Sequence, residues 1–250
     1  MILAAAVLVI LQIPRASSAE EVRTDYRSPA RSYLAAAHEQ RVIWVERQLH
    51  EEDPKLEQRA LARLRSNLDL FMARLPEPAR ASLSKQPIYL MYGAKAKGGG
   101  KSSGARYFRS KELDRGSWLD SRWRDSLVIY SAENYVWLSD LWAAKLLAHE
   151  LAHAYHFSHY PERQPDIVAA YGNAVAQGLY RQVQTTGGKT MDKAYALERA
   201  PEYFAELSAM YFVGGNYFPY DRAGLKSYDP EGYAVVEKLW GVPPEPREAP

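Results

Sequence analysis

A helix-rich α+β domain with a small sheet and an N-terminal helical hairpin is the fold class this sequence predicts. Two observations carry the prediction. Apolar residues recur at spacings of three and four over most of the chain, as amphipathic helices require, and only two short runs are apolar enough to read as strands. Prolines and glycines then punctuate the boundaries between these stretches. In chain order, residues 32–52 read as a helix with Leu34, Val42, Val45 and Leu49 among its apolar positions. Pro54 stands where a second helix can start, and Leu61, Leu64, Leu68, Phe71 and Leu75 continue it, so the two form a hairpin that Pro76 and Pro78 end. Residues 87–92 (Pro-Ile-Tyr-Leu-Met-Tyr) are short, apolar and aromatic and read as a strand, followed by a glycine- and lysine-rich loop to Gly104. Residues 126–131 (Ser-Leu-Val-Ile-Tyr-Ser) are the second strand candidate. A long helix over 139–157 comes next, then one over 167–183 with a break at Gly187-Gly188, one over 198–211 and a short one over 230–239. No internal repeat is visible. The expected division is 1–19, an N-terminal helical region 20–84, a principal domain 85–241 and a flexible, proline-rich tail 242–250.

A chain of 250 residues suits one domain of ordinary size and is ample for a core. Hydrophobic residues make up 47% and charged residues 25%, the balance of a soluble globular protein. The net charge of +2 gives no reason to expect nucleic acid or a membrane surface as partner, and a monomer is expected. Gly98-Gly99-Gly100-Lys101-Ser102-Ser103 superficially resembles a phosphate-binding loop but lacks the first glycine at the required spacing. Lys95, Lys97 and Lys101 are therefore read as a solvated loop. The apolar run from Ile2 to Ile13 is too short to span a bilayer comfortably, and Ser17-Ser18-Ala19 follows it. That order predicts a cleaved signal peptide over 1–19, a secreted or periplasmic protein, and no membrane anchor after cleavage. Cysteine is absent, so stability has to come from the core alone.

The most informative stretch is His149-Glu150-Leu151-Ala152-His153, an HExxH pattern inside the longest helical segment. Histidines at i and i+4 project from one helix face, so both imidazoles can reach one metal ion. Glu150 lies beside that face, where it can hold and deprotonate a metal-bound water. The uncharged neighbours Leu146, Leu147, Ala148, Leu151, Ala152 and Ala154 suit a buried helix. Five residues of this kind can arise from composition alone, so a third ligand is needed. His159 stands ten residues after His149, the spacing of HExxHxxGxxH, but His156 occupies the glycine position whose conformational freedom turns the chain back to the metal. His159 is accordingly set aside, and His156 is expected to end the helix or to support a ligand. Further along, Glu202-Tyr203-Phe204-Ala205-Glu206 places two carboxylates one turn apart on an apolar helix. Such a pair repels and loses solvation unless a cation lies nearby, although an ordinary solvated helix edge has the same spacing.

HExxH, the later Glu-Tyr-Phe-Ala-Glu segment and a tyrosine seven residues ahead of it together resemble the catalytic domain of the anthrax toxin lethal factor and Pro-Pro endopeptidase family. The resemblance covers roughly residues 126–241 and is strongest at the two motif segments. It implies a zincin-like catalytic domain over 85–241 and one Zn²⁺ held by His149, His153 and Glu202. It further implies that Tyr195 shares the oxyanion of the reaction and that Glu206 orients a ligand histidine. The expected activity is hydrolysis of a peptide or protein substrate with Glu150 as the base. A non-catalytic binding protein of the same fold and a zinc hydrolase acting on a non-peptide amide are the alternatives. Residues 127–130 are the candidate sheet edge for a peptide to join, and Tyr135, Trp137, Trp142 and Tyr155 are candidates for the wall of a cleft.

Overall fold

The run Val42-Ile43-Trp44-Val45 is β-branched and aromatic, and it forms a strand where a helix was expected. In the computed structural model, which describes residues 31–113 and 119–243, residues 32–52 are mostly a β-hairpin. β1 (Tyr33–His38) runs antiparallel to β2 (Arg41–Glu46) through a two-residue turn in which Glu39 takes a positive φ of 50°. Burial along β2 alternates with period two: Arg41, Ile43 and Val45 face inward while Val42 is exposed. Of the apolar positions read as helical, Val42 and Val45 are therefore the two faces of β2, Leu34 lies in β1, and only Leu49 is in a helix, α1 (Arg47–Glu52). The N-terminal helical hairpin is thus replaced by a strand hairpin and a helix, because branched side chains pack better on a pleated sheet.

α2 (Pro54–Met72) starts where expected: the Asp53 side chain accepts from Leu56 N at 3.0 Å, Pro54 opens the first turn, and Leu56, Leu64, Leu68 and Phe71 are buried. After α3 (Glu77–Leu83) come β3 (Ile88–Leu90), β4 (Ala105–Phe108), α4 (Ser110–Leu113) and β5 (Ser126–Ile129). The five strands form one mixed sheet in the order β1-β2-β3-β5-β4, parallel from β2 through β3 to β5 and antiparallel at both ends. β1 and β2 thus join strands beyond residue 84, so the division at 84 falls inside one sheet. β5 also lies inside the sheet, and the edge strand beside it is β4, with β1 at the opposite edge. Residues 127–130 are therefore not the free edge; the short Ala-Arg-Tyr-Phe run that covers them carries no strong strand pattern.

Ile43, Val45, Ile88, Leu90, Leu127 and Ile129 face the main core, whereas Tyr89, Val128, Phe108 and Trp123 form a smaller cluster on the other face. The main core is closed by α2, α5 (Ala132–Trp137) and α6 (Asp140–His159), with α6 lying against β4 and β5. α7 (Pro165–Ala176) is shorter than expected. Gly178 (φ +71°) ends it: Leu179 N donates to Ala174 O and Gly178 N to Val175 O, a glycine-terminated cap that turns the chain. Residues 181–193 then form a second hairpin, β6 (Arg181–Gln184) and β7 (Thr190–Lys193), with Gly187-Gly188 as its turn rather than a helix break. α8 (Ala200–Phe212), α9 (Arg222–Tyr228) and α10 (Pro230–Trp240) complete the chain. The result is an α+β fold. No helix among the described residues is long and apolar enough to cross a membrane. The signal peptide read over 1–19 and the tail beyond Pro243 lie outside the described residues.

Candidate metal centre

α6 begins at Ser139, whose hydroxyl accepts from Trp142 N, and Asp140 follows in the first turn. From Ala143 to His156 the helix is almost wholly buried, and it packs along α8. α8 opens with Pro201, and every residue from there to Phe212 is buried, which places the anionic Glu202 in the first turn beside the positive end of the helix.

The two helices bring three donors to one point. His149 Nε2 lies 3.0 Å from Glu202 Oε2, His153 Nε2 lies 3.0 Å from the same oxygen, and the two imidazole nitrogens are 3.1 Å apart. All three residues are buried, at 7%, 6% and 4% exposure. Three atoms with lone pairs converging this closely repel unless a proton or a cation lies among them. An ion bound tetrahedrally at about 2.0–2.1 Å needs donors about 3.3 Å apart, so a slight opening of the triangle suffices. His149, His153 and Glu202 can hold a metal ion. Burial opposes the charged forms here, but contact with the imidazoles outweighs it and takes the Glu202 carboxyl well below its usual range. Burial likewise opposes a charge on His149, and the Glu202 and Glu206 carboxylates overcome it and push its pKa up. Metal binding there displaces a proton.

Glu206 stands behind His149. Its Oε1 lies 2.8 Å from His149 Nδ1, somewhat off the line of an aligned hydrogen bond, which leaves Nε2 to face the triangle. Burial would raise the Glu206 pKa, but the Lys145 ammonium and His149 hold it down at about 2. Glu150 points to the sheet edge, where its Oε2 accepts from Tyr107 N at 2.7 Å. Tyr195, in the 3₁₀ turn Tyr195–Leu197, is half exposed, and its ring lies 5.8 Å from that of His149. Partial burial and the Glu202 and Glu150 carboxylates push its pKa up to about 12, so at neutral pH the hydroxyl is a donor.

His159 turns away from the triangle, with Nε2 2.5 Å from Ser82 Oγ on α3. His156 lies inside the still-continuous helix, fully buried against Phe204, with Nε2 3.1 Å from Pro161 O. Of the aromatic candidates, Tyr135 and Tyr155 are core residues and Trp137 is solvent-exposed. Trp142 alone lines the site, in a largely apolar cavity of about 360 Å³ shared with Leu146, Met191, Tyr195 and Tyr217. A second cavity of about 290 Å³ on the other side of Glu150 is lined by Arg106, Phe157 and Arg199. Several residues of the site went unremarked in the sequence. Arg199 donates to Glu202 Oε1 through Nε (3.1 Å) and Nη2 (2.6 Å), Lys145 and Tyr217 bond Glu206, and β4 supplies the Tyr107 N–H. Only Lys145 had a readable signal, standing four residues ahead of His149 on the metal face. Comparisons with family models, with curated proteins and with solved structures return no match for this chain.

Proposed function

We propose that the chain is a zinc-dependent peptidase with a zincin-like fold, related to the lethal factor and Pro-Pro endopeptidase family that its motifs resemble. The observation that carries this reading is the buried donor triangle of His149, His153 and Glu202 with the Glu150 carboxylate beside it at a sheet edge. Two neutral imidazoles and one carboxylate are the donor set of a catalytic zinc site. Bound zinc supplies Lewis acidity that acidifies water and polarises a carbonyl.

The chain's own residues supply the rest. Glu150 accepts the proton of the attacking water and passes it to the leaving amine. The Tyr195 hydroxyl donates to the oxygen that gains charge as the carbonyl becomes tetrahedral. Substrate alignment follows from β4. Because Tyr130 N bonds Gly104 O across the ladder, Arg106 and Phe108 turn their backbone groups to β5, and those of Ala105 and Tyr107 point outward. The Tyr107 N–H is taken by Glu150, so an extended peptide pairs with Ala105 and can place a side chain in the apolar cavity under Trp142 and Met191.

Atomic emission of the purified protein is expected to give about one zinc per chain, lost in His149→Ala. Glu150→Gln is expected to keep the zinc and to abolish hydrolysis of a peptide library. A folded wild-type protein without zinc overturns the metal assignment. Zinc without hydrolysis of any peptide overturns the peptidase assignment, and turnover confined to small amides selects the non-peptide alternative.

A further inference from the structure

We infer that Lys145 is a positioning residue of the metal centre, acting through Glu206 on His149; the inference rests on the metal-binding reading above. Lys145, His149 and His153 follow one another at intervals of four on α6, and they face Glu206 and Glu202 at the same interval on α8. The rows interlock: Lys145 Nζ meets Glu206 Oε2 at 2.7 Å, Glu206 Oε1 meets His149 Nδ1 at 2.8 Å, and Glu202 Oε2 meets both histidines. HExxH is thereby extended one turn toward the helix start by a lysine.

Lys145 and Glu206 are only 3% and 2% exposed. A buried ion pair contributes little net stability, because desolvation offsets the attraction, and an apolar pair of similar volume serves a core as well or better. The geometry of this pair is specific to the imidazole instead. Glu206 Oε2 receives both the Lys145 ammonium and, at 2.6 Å, the Tyr217 hydroxyl, which fixes the carboxylate's rotation and reserves Oε1 for His149. Lys145 is fixed in turn by Asn216 Oδ1 at 2.5 Å and by the Trp142 and Tyr217 rings, 5.2 and 5.0 Å away. Neither ligand's Nδ1 completes an aligned hydrogen bond, but His149 Nδ1 has the Glu206 carboxylate at 2.8 Å, whereas the carboxylate beside His153 is Glu202, at its Nε2. The Lys145 chain therefore sets the tautomer and ring orientation of one ligand, and through them the affinity for the ion.

The test is zinc affinity, measured by competition with a chromophoric chelator, together with the absorption spectrum of the cobalt-substituted protein. Lys145→Met is expected to weaken zinc binding about tenfold or more and to alter the cobalt bands. Glu206→Gln is expected to do the same. Lys145→Met/Glu206→Gln, in which no unpaired charge stays buried, is expected to bind zinc no more weakly than Glu206→Gln. That comparison stands even if Lys145→Met alone does not fold. Wild-type affinity in a folded Lys145→Met, or a further multiplicative loss in the double variant, overturns the role assigned to Lys145. A wild-type protein that binds neither zinc nor cobalt overturns the metal reading itself.

Discussion

Each oxygen of Glu202 faces a different partner: Oε2 faces the two histidines, and Oε1 is forked by Arg199. That division leaves one lone-pair direction for an ion and keeps the carboxylate anionic. Tyr195 stands outside this set, near His149 without a hydrogen bond to it, so its loss should spare the metal. Tyr195→Phe is expected to lower kcat about a hundredfold with zinc content unchanged. Steady-state kinetics beside metal analysis check this, and an undiminished kcat removes the oxyanion role. His156 illustrates a different residue-scale effect. Burial, opposed by the Pro161 carbonyl and aided by the positive side of His153 and Arg109, lowers its pKa to about 4; Glu162 offsets part of this. Its folded pKa lies below the unfolded value of about 6.5, so the native state binds fewer protons. Stability from this group is undiminished above pH 6.5, falls as pH drops from 6.5 toward 4, and levels off below that. The full loss amounts to about 3 kcal/mol. Thermal midpoints against pH are expected to flatten over that window in His156→Gln, and a slope equal to the wild type's would show that His156 does not titrate in this way.

Among the elements, α10 meets α8 at Gly232, a glycine of ordinary conformation in the first turn of α10. A β-carbon there would overlap the Tyr203 hydroxyl, Leu207 and the Asp229 carboxylate, which itself caps α10 through Gly232 N and accepts from Tyr203 and Tyr180. In the first turn alanine gains at most about 1 kcal/mol in helix propensity, whereas overpacking a site tied into a hydrogen-bonded cluster costs about 1–3 kcal/mol. Gly232→Ala is expected to be destabilising on balance, with a lower urea midpoint; a higher one would mean that α10 can shift freely. Such crossings are invisible in a sequence. What was legible there is what local chemistry decides. α2, α6, α8 and α10 carry their caps or opening prolines and their apolar spacing, and they formed within a few residues of expectation. The strands depend on partners distant in the chain. Val42 to Val45 fit a helical spacing as well as an alternation, and pairing with β3, more than forty residues on, decides between them. β4 has four residues and gains its place only because β5 is there to pair with. The same limit applied to the site. Both motif helices were readable, but Arg199, Tyr217 and the Tyr107 N–H reach it through tertiary packing.

At the scale of the whole molecule, the centre lies where the sheet edge, α6 and α8 converge, and its donors come from segments 49 and 53 residues apart. A metal ion bound there ties α6 to α8 across that interval in the folded state only, since the unfolded chain does not hold the three donors together. Binding energy is then stability. At free zinc a thousandfold above Kd, the folded state gains about 4 kcal/mol, and a chain of this length moves its midpoint by about 2–4 °C per kcal/mol. Saturating zinc is therefore expected to raise the thermal midpoint by about 10 °C, chelation to reverse the rise, and Glu202→Ala or His149→Ala to abolish it. Glu150→Gln should keep the full rise, because Glu150 is bonded to β4 and not to the triangle. A rise that survives Glu202→Ala would place the stabilising ion elsewhere. A rise lost in Glu150→Gln would make the base a ligand, and the division between holding the ion and moving the proton would no longer stand.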